Sequence, residues 1–322
     1  MYDVVALGES LIDFTPSGRN ELGMPLFSQN PGGAPANVLA MHAKLGGRTA
    51  FIGKVGQDDF GLFLQCSMEQ AGIDCSGLRK DAHVPTTLAF VHLDEKGDRS
   101  FTFYRDPGAD LMLRQEEVPE ALLTCCRMFH FGSVSLTGEP CRSTTIWAAQ
   151  QAKKAGALIS YDPNYRPFLW EREETAKTVI LDALPLVDLL KVSEEEMVLL
   201  TGKTDLEQGA AQLLAMGPAA VFVTRGEEGV YFQTPAGSGR VAAFDVQAVD
   251  TTGAGDAFLG ALLAQIQGRG REALSAMTLS QWQLAARIAN AAGGLTTTSK
   301  GAIPAMPSAE ELREYVQRGT LR

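Results

Sequence analysis

Short apolar runs alternate with amphipathic stretches along much of the chain. One run covers residues 4–7, and the others cover residues 128–131, 158–161, 186–192 and 219–224. Helical spacing of apolar residues appears between them, for example at 141–155 and 175–183. Buried strands that alternate with helices are typical of a parallel sheet covered by helices on both faces. The pattern therefore predicts an α/β fold with a central, mostly parallel sheet.

Two segments, residues 9–30 and 87–105, do not follow this alternation. The first contains a short strand pattern at residues 11–14, followed by a loop rich in Pro, Gly and Asn. The second alternates apolar and polar side chains around a charged turn at residues 94–98, which predicts a β-hairpin. Such a hairpin does not fit the main parallel sheet, so we expect a separate small sheet that forms a lid or the surface of a homodimer. An edge hairpin with one solvated face is the alternative.

Composition and charge limit the classes of function. The chain has 322 residues, of which 45% are hydrophobic, and a formal net charge of -10. This length suits one large domain, and we expect residues 1–322 to form it. The acidic surface repels polyphosphates and anionic lipids, so neither nucleic acid nor a membrane is expected as a partner. Any phosphorylated ligand must then be held by a focused local site.

The N-terminus and the cysteines bear on the compartment. The apolar run at residues 4–7 is far too short to span a membrane, and no basic leader precedes it. The five cysteines are odd in number and show no CxxC or zinc-ligand spacing. We therefore expect reduced thiols and a cytoplasmic protein.

A glycine-rich segment near the C-terminus carries the first candidate chemistry. Residues 250–256 read Asp-Thr-Thr-Gly-Ala-Gly-Asp, and residues 257–266 have the spacing and composition of a helix. The amides at the start of such a helix would form an anion hole suited to the γ-phosphoryl group of ATP. They belong to Gly253, Ala254 and Gly255. Asp256 would stay ionised there and accept a proton from an attacking hydroxyl, and simple capping of the helix is the alternative role.

Several other motifs are absent from the sequence. Residues 202–204, Gly-Lys-Thr, lack the upstream glycine of a P-loop. Residues 8–11, Gly-Glu-Ser-Leu, do not match the glycine pattern of a dinucleotide-binding turn. None of the four histidines stands in a nucleophile elbow or a metal-binding spacing. P-loop enzymes are therefore excluded, and the dehydrogenase and hydrolase classes are disfavoured.

Two distant segments together resemble the signatures of a known family. Residues 32–40 read Gly-Gly-Ala-Pro-Ala-Asn-Val-Leu-Ala and are followed by Gly46 and Gly56. They resemble the N-terminal signature of the ribokinase-like (PfkB) carbohydrate kinases, and residues 250–263 are similar to the C-terminal signature. The resemblance covers essentially the whole chain. It implies a ribokinase-like three-layer α/β/α fold with a small β-sheet lid, and ATP-dependent phosphorylation of a primary hydroxyl of a small sugar.

The resemblance also implies roles for individual residues, with Asp256 as the catalytic base. The residues expected around the sugar are Asp13, Gly32, Gly33, Asn37 and Arg166, with Phe103 on the lid hairpin. Those expected at the nucleotide are Ser193, Thr224, Gly226 and Asn290, where Ser193 replaces an asparagine of ribokinases. Glu196 would organise Mg2+ through water, and an optional K+ site would involve Asp250, Thr252, Ser299 and Gly301. Asn290 could equally be a surface residue in the middle of a helix, and Arg166 could form a surface ion pair.

Residues 162–170 bear on the identity of the sugar. They read Asp-Pro-Asn-Tyr-Arg-Pro-Phe-Leu-Trp and resemble the D-x-N-x-R-x-x-L-W segment of the fructokinase branch. Arg166 supplies a rigid set of donors that can bind sugar oxygens or a carboxylate. Fructose, converted to fructose 6-phosphate, is the expected substrate, and 2-keto-3-deoxygluconate and aminoimidazole riboside are the alternatives. A nicotinamide dehydrogenase and a non-catalytic sugar-binding regulator remain as rivals from other classes.

Overall fold

The computed structural model describes residues 1–93 and 99–318. The strands are β1 (Tyr2–Leu7), β2 (Leu11–Arg19), β3 (Pro25–Gly32), β4 (Thr49–Gly56), β5 (Ile73–Asp81), β6 (Leu88–Leu93), β7 (Arg99–Tyr104), β8 (Cys126–Gly132), β9 (Leu158–Asp162), β10 (Leu189–Ser193), β11 (Ala220–Thr224), β12 (Val230–Thr234) and β13 (Gly237–Val241). The α-helices are α1 (Ala34–Lys44), α2 (Asp59–Gln70), α3 (Glu120–Thr124), α4 (Cys141–Lys154), α5 (Glu173–Ala183), α6 (Glu194–Thr201), α7 (Leu206–Leu214), α8 (Ala254–Ile266), α9 (Arg271–Ser275), α10 (Leu279–Thr296) and α11 (Ala309–Arg318).

Within the described residues, nine strands form one large sheet in the spatial order β13-β12-β11-β10-β9-β8-β1-β4-β5. The strands from β11 to β5 pair in parallel, and β12 and β13 extend one edge as antiparallel strands. The prediction of a mostly parallel central sheet is confirmed. Parallel strands end at the same side of a sheet, and ligands of open α/β sheets bind beyond those carboxyl ends.

Helices cover both faces of the large sheet. In β1, Val4 and Ala6 belong to a core shared with α1, α8 and α10, while Val5 and Leu7 belong to a core shared with α4 and α5. All four side chains are buried. A strand that is covered on both faces needs apolar residues at every position, which explains the unbroken run at residues 4–7. The predicted three-layer α/β/α arrangement is confirmed.

The two segments that break the alternation form a separate small sheet, in the order β3-β2-β6-β7. β6 and β7 pair antiparallel as the predicted hairpin, while β2 pairs antiparallel with β3 and parallel with β6. The hairpin turn at residues 94–98 lies outside the described residues. One face of this sheet packs on the body of the protein, where Ile12 contacts Val55 and Leu64.

Two strand boundaries differ from the sequence pattern. β2 continues to Arg19, although Pro16 and Gly18 suggested a loop. In the described pairing β6 reaches β2 only at residues 12–14, so Pro16 lies where β2 has one partner strand, an edge position that tolerates proline. β10 begins at Leu189 rather than at residue 186, because a single 3-10 turn, Leu184–Leu186, precedes it.

The structure also bears on the membrane and cysteine expectations. In the described part of the chain, no helix is both long and apolar enough to cross a membrane. All five cysteines are free, and the exposed ones are Cys66 and Cys125.

Candidate active site

Asp256 lies in the first turn of α8, and its side chain is buried. Its Oδ2 accepts a hydrogen bond from Nδ2 of Asn37 at 2.8 Å, and its Oδ1 accepts one from Nδ2 of Asn164 at 3.4 Å. Asn37 belongs to the first turn of α1, and Asn164 follows β9. The N-cap residue of α8 is Gly253. The carboxylate is therefore directed at two side chains of other elements, which favours a role at the site over capping.

The start of α8 also provides the backbone donors of the expected anion hole. The Ala254 amide donates to the carbonyl of Thr251 with an N···O distance of 3.3 Å, so it is already engaged. The amides of Gly255 and Asp256 lie too early in the helix to reach a helical carbonyl. These two amides, together with the positive end of the helix dipole, are the stronger candidates for binding an anion.

The environment of Asp256 sets its basicity. Burial raises the pKa of Asp256 to about 6, and the charge of Asp162 acts in the same direction. The hydrogen bond from Asn37 and the charges of Lys191 and Arg166 lower this pKa. The carboxylate is thus mostly ionised at neutral pH and is a better proton acceptor than an ordinary aspartate.

We expect kcat/KM for the sugar to fall on the acid side with a midpoint near pH 6. Only the ionised form of Asp256 can accept a proton, so activity is present above the pKa of about 6 and is lost as the pH falls through it. The pH profile of kcat/KM measures this midpoint, because it reports the pKa of the enzyme before the sugar binds. Circular dichroism at each pH is the control for unfolding. An acid limb at the ordinary aspartate pKa of about 4 would contradict the assignment.

Asp13, Ala89 and Phe103 share one row across the small sheet. Asp13 in β2 pairs with Ala89 in β6, and Ala89 pairs with Phe103 in β7. Residues paired in this way point to the same face of a sheet. Burial raises the pKa of Asp13 to about 6, the charge of Arg166 lowers it and that of Asp256 raises it. The face with Asp13 and Phe103 is therefore the face that looks onto Asp256.

Gly32 ends β3, and Gly33 leads directly into α1. Gly33 has a φ of 118°, and a Cβ atom at this position would overlap the carbonyl oxygen of Glu9. Glycine alone tolerates this turn. The turn lets α1 begin immediately after the lid strand and brings Asn37 to Asp256. One short segment therefore connects the lid to the candidate base.

The loop after β9 is held in place by buried carboxylates. The Asn164 amide donates to Oδ1 of Asp162 at 3.1 Å, and the Tyr165 amide donates to Oε1 of Glu196 at 2.6 Å. Asn164 has a positive φ of 49°. Asparagine tolerates this conformation better than most residues. The loop therefore has a defined shape next to Asp256.

Arg166 extends from this loop toward the two aspartates. Its Nη1 donates long hydrogen bonds to the carbonyls of Asn164 and Tyr165, at 3.4 and 3.3 Å. The side chain is half-buried, and its charge lowers the pKa of both Asp13 and Asp256. It forms no ion pair among the contacts described for the chain. This position supports a contact with substrate over a surface ion pair.

Two buried charged residues near Asp256, Lys191 and Asp162, were not among the site residues expected from the sequence. Lys191 lies within β10, and its Nζ contacts Oδ2 of Asp162 at the end of β9 at 2.8 Å. Their side chains are only 9% and 3% exposed. Lysine is rarely buried without a partner. A lysine in the middle of the apolar run at residues 186–192 was therefore a signal for such a pair.

A cavity of about 410 Å³ borders the start of α8. The residues that line it include the expected nucleotide contacts Thr224, Gly226 and Asn290, and also Gly255. Its apolar lining includes Ala243, Phe244, Val246, Ala248 and Phe258. An apolar cavity that leads to a helix N-terminus suits a purine nucleotide whose phosphates reach that terminus.

Asn290 lies in this cavity and not at the surface of its helix. It is 8% exposed, and its Nδ2 donates to the carbonyls of Val241 and Ala242 at 3.0 and 3.1 Å. These bonds join α10 to the end of β13. The surface alternative for Asn290 is therefore not what the structure shows.

Ser193 lines a different cavity, of about 450 Å³, together with Arg166, Lys191 and Glu196. Its Oγ accepts the Glu196 amide at 3.1 Å, and Oε2 of Glu196 accepts the Ser193 amide at 2.7 Å. This reciprocal pair is a capping box at the start of α6. Because Ser193 is used in the cap and is not among the residues that line the 410 Å³ cavity, the expectation that it contacts the nucleotide is not supported.

Glu196 fits a role in holding Mg2+ through water. Each of its oxygens accepts one backbone amide, from Ser193 or from Tyr165, which leaves a further lone pair on each oxygen. Burial and the charge of Asp162 raise the pKa of Glu196. In the described residues, no group of three or more His, Cys, Asp or Glu side chains could hold a metal ion.

The residues expected for K+ lie mostly together. Asp250 Oδ1 accepts the amide and the hydroxyl of Thr252 at 3.0 and 2.7 Å, and its Oδ2 accepts the Gly301 amide at 3.0 Å. The Asp250 amide donates to the Thr297 carbonyl at 3.1 Å. Ser299, in contrast, is exposed. The segment before α8 is thus tied to the loop after α10.

Comparison with known proteins gives a consistent picture. A family model described as pfkB family carbohydrate kinase matches residues 1–309. A protein described as probable fructokinase-4 from Arabidopsis thaliana is 43% identical over 326 aligned positions, which cover 98% of this chain and 96% of the relative.

Solved structures with the same fold carry ligands of the expected kinds. Fructokinase with bound ATP from Xylella fastidiosa is 35% identical, with a TM-score of 0.91 and coverage of 98% of this chain and 99% of that chain. A fructokinase double mutant from Vibrio cholerae O395, in a fructose, ADP and potassium ion bound form, is 35% identical, with a TM-score of 0.86 and coverage of 98% of both chains.

Proposed function

Because the chain belongs to the pfkB family of carbohydrate kinases, we propose that it transfers the γ-phosphoryl group of ATP to D-fructose and forms D-fructose 6-phosphate and ADP. The observation that carries this proposal is the position of Asp256. The carboxylate follows Gly255, which lines the 410 Å³ cavity, and is bonded to Asn164, which lines the 450 Å³ cavity. Asp256 therefore lies next to the nucleotide cavity and next to the loop that carries Arg166, where a base can serve a transfer from nucleotide to sugar. Residues 1–322 would act as one kinase domain.

In the proposed mechanism ATP lies in the 410 Å³ cavity, with Asn290 beside its base and Thr224 and Gly226 beside its phosphates. Asp256 accepts the proton of the fructose 6-hydroxyl as that oxygen attacks the γ-phosphorus in line. The amides of Gly255 and Asp256 stabilise the negative charge on the transferring group. The observed bonds from Asn37 and Asn164 fix the Asp256 carboxylate in one orientation.

Fructose would be held between the small sheet and the loop after β9. The proposed sugar contacts are Asp13, Gly32, Gly33, Asn37 and Arg166, with Phe103 shielding the sugar from water. Asp13 can accept hydrogen bonds from sugar hydroxyls, and Arg166 can donate several in fixed directions. The resemblance of residues 162–170 to fructokinases supports fructose over other small sugars, as do the fructokinase relatives.

Two metal ions are part of the proposal. Glu196 would hold Mg2+ through water, and the ion would neutralise charge on the ATP phosphates. Asp250, Thr252 and Gly301 would shape a K+ loop, with Ser299 as a further candidate, and the Vibrio cholerae structure in a potassium-bound form supports this part. Assays with EDTA, and with choline in place of K+, test the two ions. Unchanged activity in either assay would remove that ion from the proposal.

We expect the small sheet to act as a lid. Amide hydrogen exchange in β6 and β7 should slow when fructose and a non-hydrolysable ATP analogue bind together, because closure would bury the face that carries Asp13 and Phe103. Mass spectrometry of peptides from residues 87–105 measures this. Peptides from α7, which contributes no lining residue to either cavity, are the internal control. Equal exchange with and without ligands would argue against closure.

The lid face opposite Asp13 packs on the body of the protein at Ile12 and is exposed farther out at Phe27 and Tyr104, and this exposed part supports a homodimer. Phe90 makes edge-on contacts with Phe27 and Tyr104, and the latter two are 39% and 64% exposed. An exposed aromatic cluster of this kind is typical of an interaction surface. We expect a dimer in sedimentation velocity and a monomer after Tyr104→Glu. A monomeric wild type at high concentration would rule out this dimer.

The five free cysteines support a reducing, cytoplasmic compartment. Fractionation of the source cells tests this, and recovery of the protein from an oxidising compartment would contradict it.

A coupled ADP-release assay tests the proposed function. The panel is fructose, ribose, 2-keto-3-deoxygluconate and aminoimidazole riboside, each compared by kcat/KM with a blank that lacks sugar. We expect the highest value with fructose. A higher value with another sugar would keep the kinase and replace the substrate. ADP release that no sugar stimulates would favour a non-catalytic sugar-binding regulator, and quenching of nicotinamide fluorescence would favour a dehydrogenase.

A further inference from the structure

Lys191 is a buried cation at the centre of the site, and the mechanism above gives it no task. It is the one polar side chain in the stretch 189–192 of β10, and its side chain is 9% exposed. An ammonium group loses much of its hydration in such a place, so it persists only where its partners offset that loss. A strand that needed packing alone would carry an aliphatic residue here.

The ammonium group of Lys191 lies close to Gly255, in the first turn of α8. A Cβ atom placed on Gly255 would lie 2.9 Å from Nζ of Lys191. In an α-helix the Cβ atoms tilt toward the N-terminus. Nζ of Lys191 therefore lies beside the first turn of α8, next to the anion hole. The absence of a side chain at Gly255 leaves room for the ammonium at this place.

The partners of Lys191 keep it charged and leave it donors. Burial alone would lower the pKa of Lys191, but the charges of Asp162, Glu196 and Asp256 outweigh burial and raise it. Its one described hydrogen bond goes to Asp162 Oδ2 at 2.8 Å. An ammonium has three donors, and Lys191 lines the 450 Å³ cavity. The buried His130 nearby has a pKa lowered to about 4, so it is neutral and adds no second cation.

We propose that Lys191 is a catalytic residue whose ammonium binds the transferring phosphoryl group from the side of Gly255, held there by Asp162. The inference rests on the proposed function, since it assigns a contact in the same reaction. In that step the bond from the fructose 6-oxygen to the γ-phosphorus forms, and the bond from the γ-phosphorus to the oxygen that bridges to ADP breaks. The hydroxyl proton goes to Asp256. Lys191 keeps its protons throughout and offsets the charge on the phosphoryl oxygens.

The position of the ammonium predicts a contact that strengthens during the reaction. The γ-phosphoryl group moves from ADP toward the sugar oxygen, and Lys191 lies against Gly255 of the nucleotide cavity and lines the 450 Å³ cavity together with Arg166. An interaction gained on that path raises kcat with little effect on KM. Loss of a purely structural lysine would instead lower the stability of the fold and would not lower kcat selectively relative to KM.

The test compares wild type with the double variant Lys191→Met/Asp162→Asn, which removes both members of the described ion pair. The dissociation constants of Mg-ADP with fructose are measured with and without aluminium fluoride, which mimics the transferring phosphoryl group. We expect the affinity for the fluoride complex to fall by about 100-fold, with ADP affinity within about threefold and KM values little changed. Asp162→Asn alone keeps the ammonium and should retain most of the affinity for the mimic.

Lys54→Met is the matched control, because Lys54 is also a strand lysine, is 8% exposed and pairs with Asp81 at 3.0 Å. This control should lower Tm and leave the affinity for the mimic unchanged. If the double variant binds the mimic as tightly as wild type, or loses ADP and mimic equally, Lys191 has no contact with the phosphoryl group. That result would leave the proposed function intact. The proposed function fails separately, if wild type shows no turnover of fructose.

Discussion

Asp256→Asn is expected to lower kcat by about 10²–10⁴-fold, the usual contribution of a general base, with the KM for fructose changed by less than about threefold. Asparagine keeps the shape of the side chain, and its one carbonyl oxygen can accept the shorter of the two bonds, from Asn37. It cannot accept the proton of the hydroxyl. Steady-state kinetics with purified enzyme measure both constants. A variant with near-normal kcat would remove Asp256 from the role of base.

The same substitution should stabilise the fold. The pKa of Asp256 is about 6 against an ordinary value of 3.8, so its charge at neutral pH destabilises the folded state by about 2–3 kcal/mol. Asp256→Asn removes that charge and should raise Tm by a few degrees. The control is Asp59→Asn, which removes an exposed first-turn carboxylate from α2. It should lower Tm slightly and leave kcat unchanged. A catalytic loss accompanied by a lower Tm would indicate simple disruption of the fold.

Arg166→Met is expected to raise the KM for fructose by about 10–100-fold, since hydrogen bonds from a charged donor contribute about 1.5–3 kcal/mol each. It should also move the acid limb of kcat/KM to higher pH, because the charge of Arg166 lowers the pKa of both Asp13 and Asp256. Kinetics over a pH series measure both effects.

Arg172→Met is the matched control for this prediction. Arg172 is an exposed arginine just before α5, and its loss should change neither KM nor the pH profile. A normal fructose KM in Arg166→Met would place the sugar contact elsewhere. A raised KM with an unmoved acid limb would separate sugar binding from the electrostatic effect on Asp256.

The parts of the fold that follow from local pattern are predictable from the sequence. Residues 4–7 of β1 are buried on both faces of the sheet and are therefore apolar at every position. The lid hairpin alternates because its faces differ. The start of α8 is visible in residues 250–256, where small residues allow a tight turn and a helical pattern follows. In each case the signal lies within about ten residues, which is the range that hydrophobic periodicity reports.

The features that depend on distant partners are not predictable in this way. The proposed role of Lys191 depends on its contacts with Asp162 and Gly255, and these residues are distant in sequence and meet only in the folded protein. The length of β2 depends on its pairing with β3 beyond the end of β6, which local sequence at Pro16 does not encode. Ser193 is a different case, because Ser193 and Glu196 have the spacing of a capping box. The structure shows this cap, and the nucleotide contact of Ser193 that the family resemblance implies stays a prediction.

Phosphorus NMR of the product tests the central claim most directly. Purified protein, fructose and Mg-ATP should give equal amounts of ADP and fructose 6-phosphate, and Asp256→Asn under the same conditions should give almost none. Formation of fructose 1-phosphate would show that another hydroxyl faces Asp256. ADP with free phosphate and no sugar phosphate, or equal product from the variant, would contradict a sugar kinase that uses Asp256 as its base.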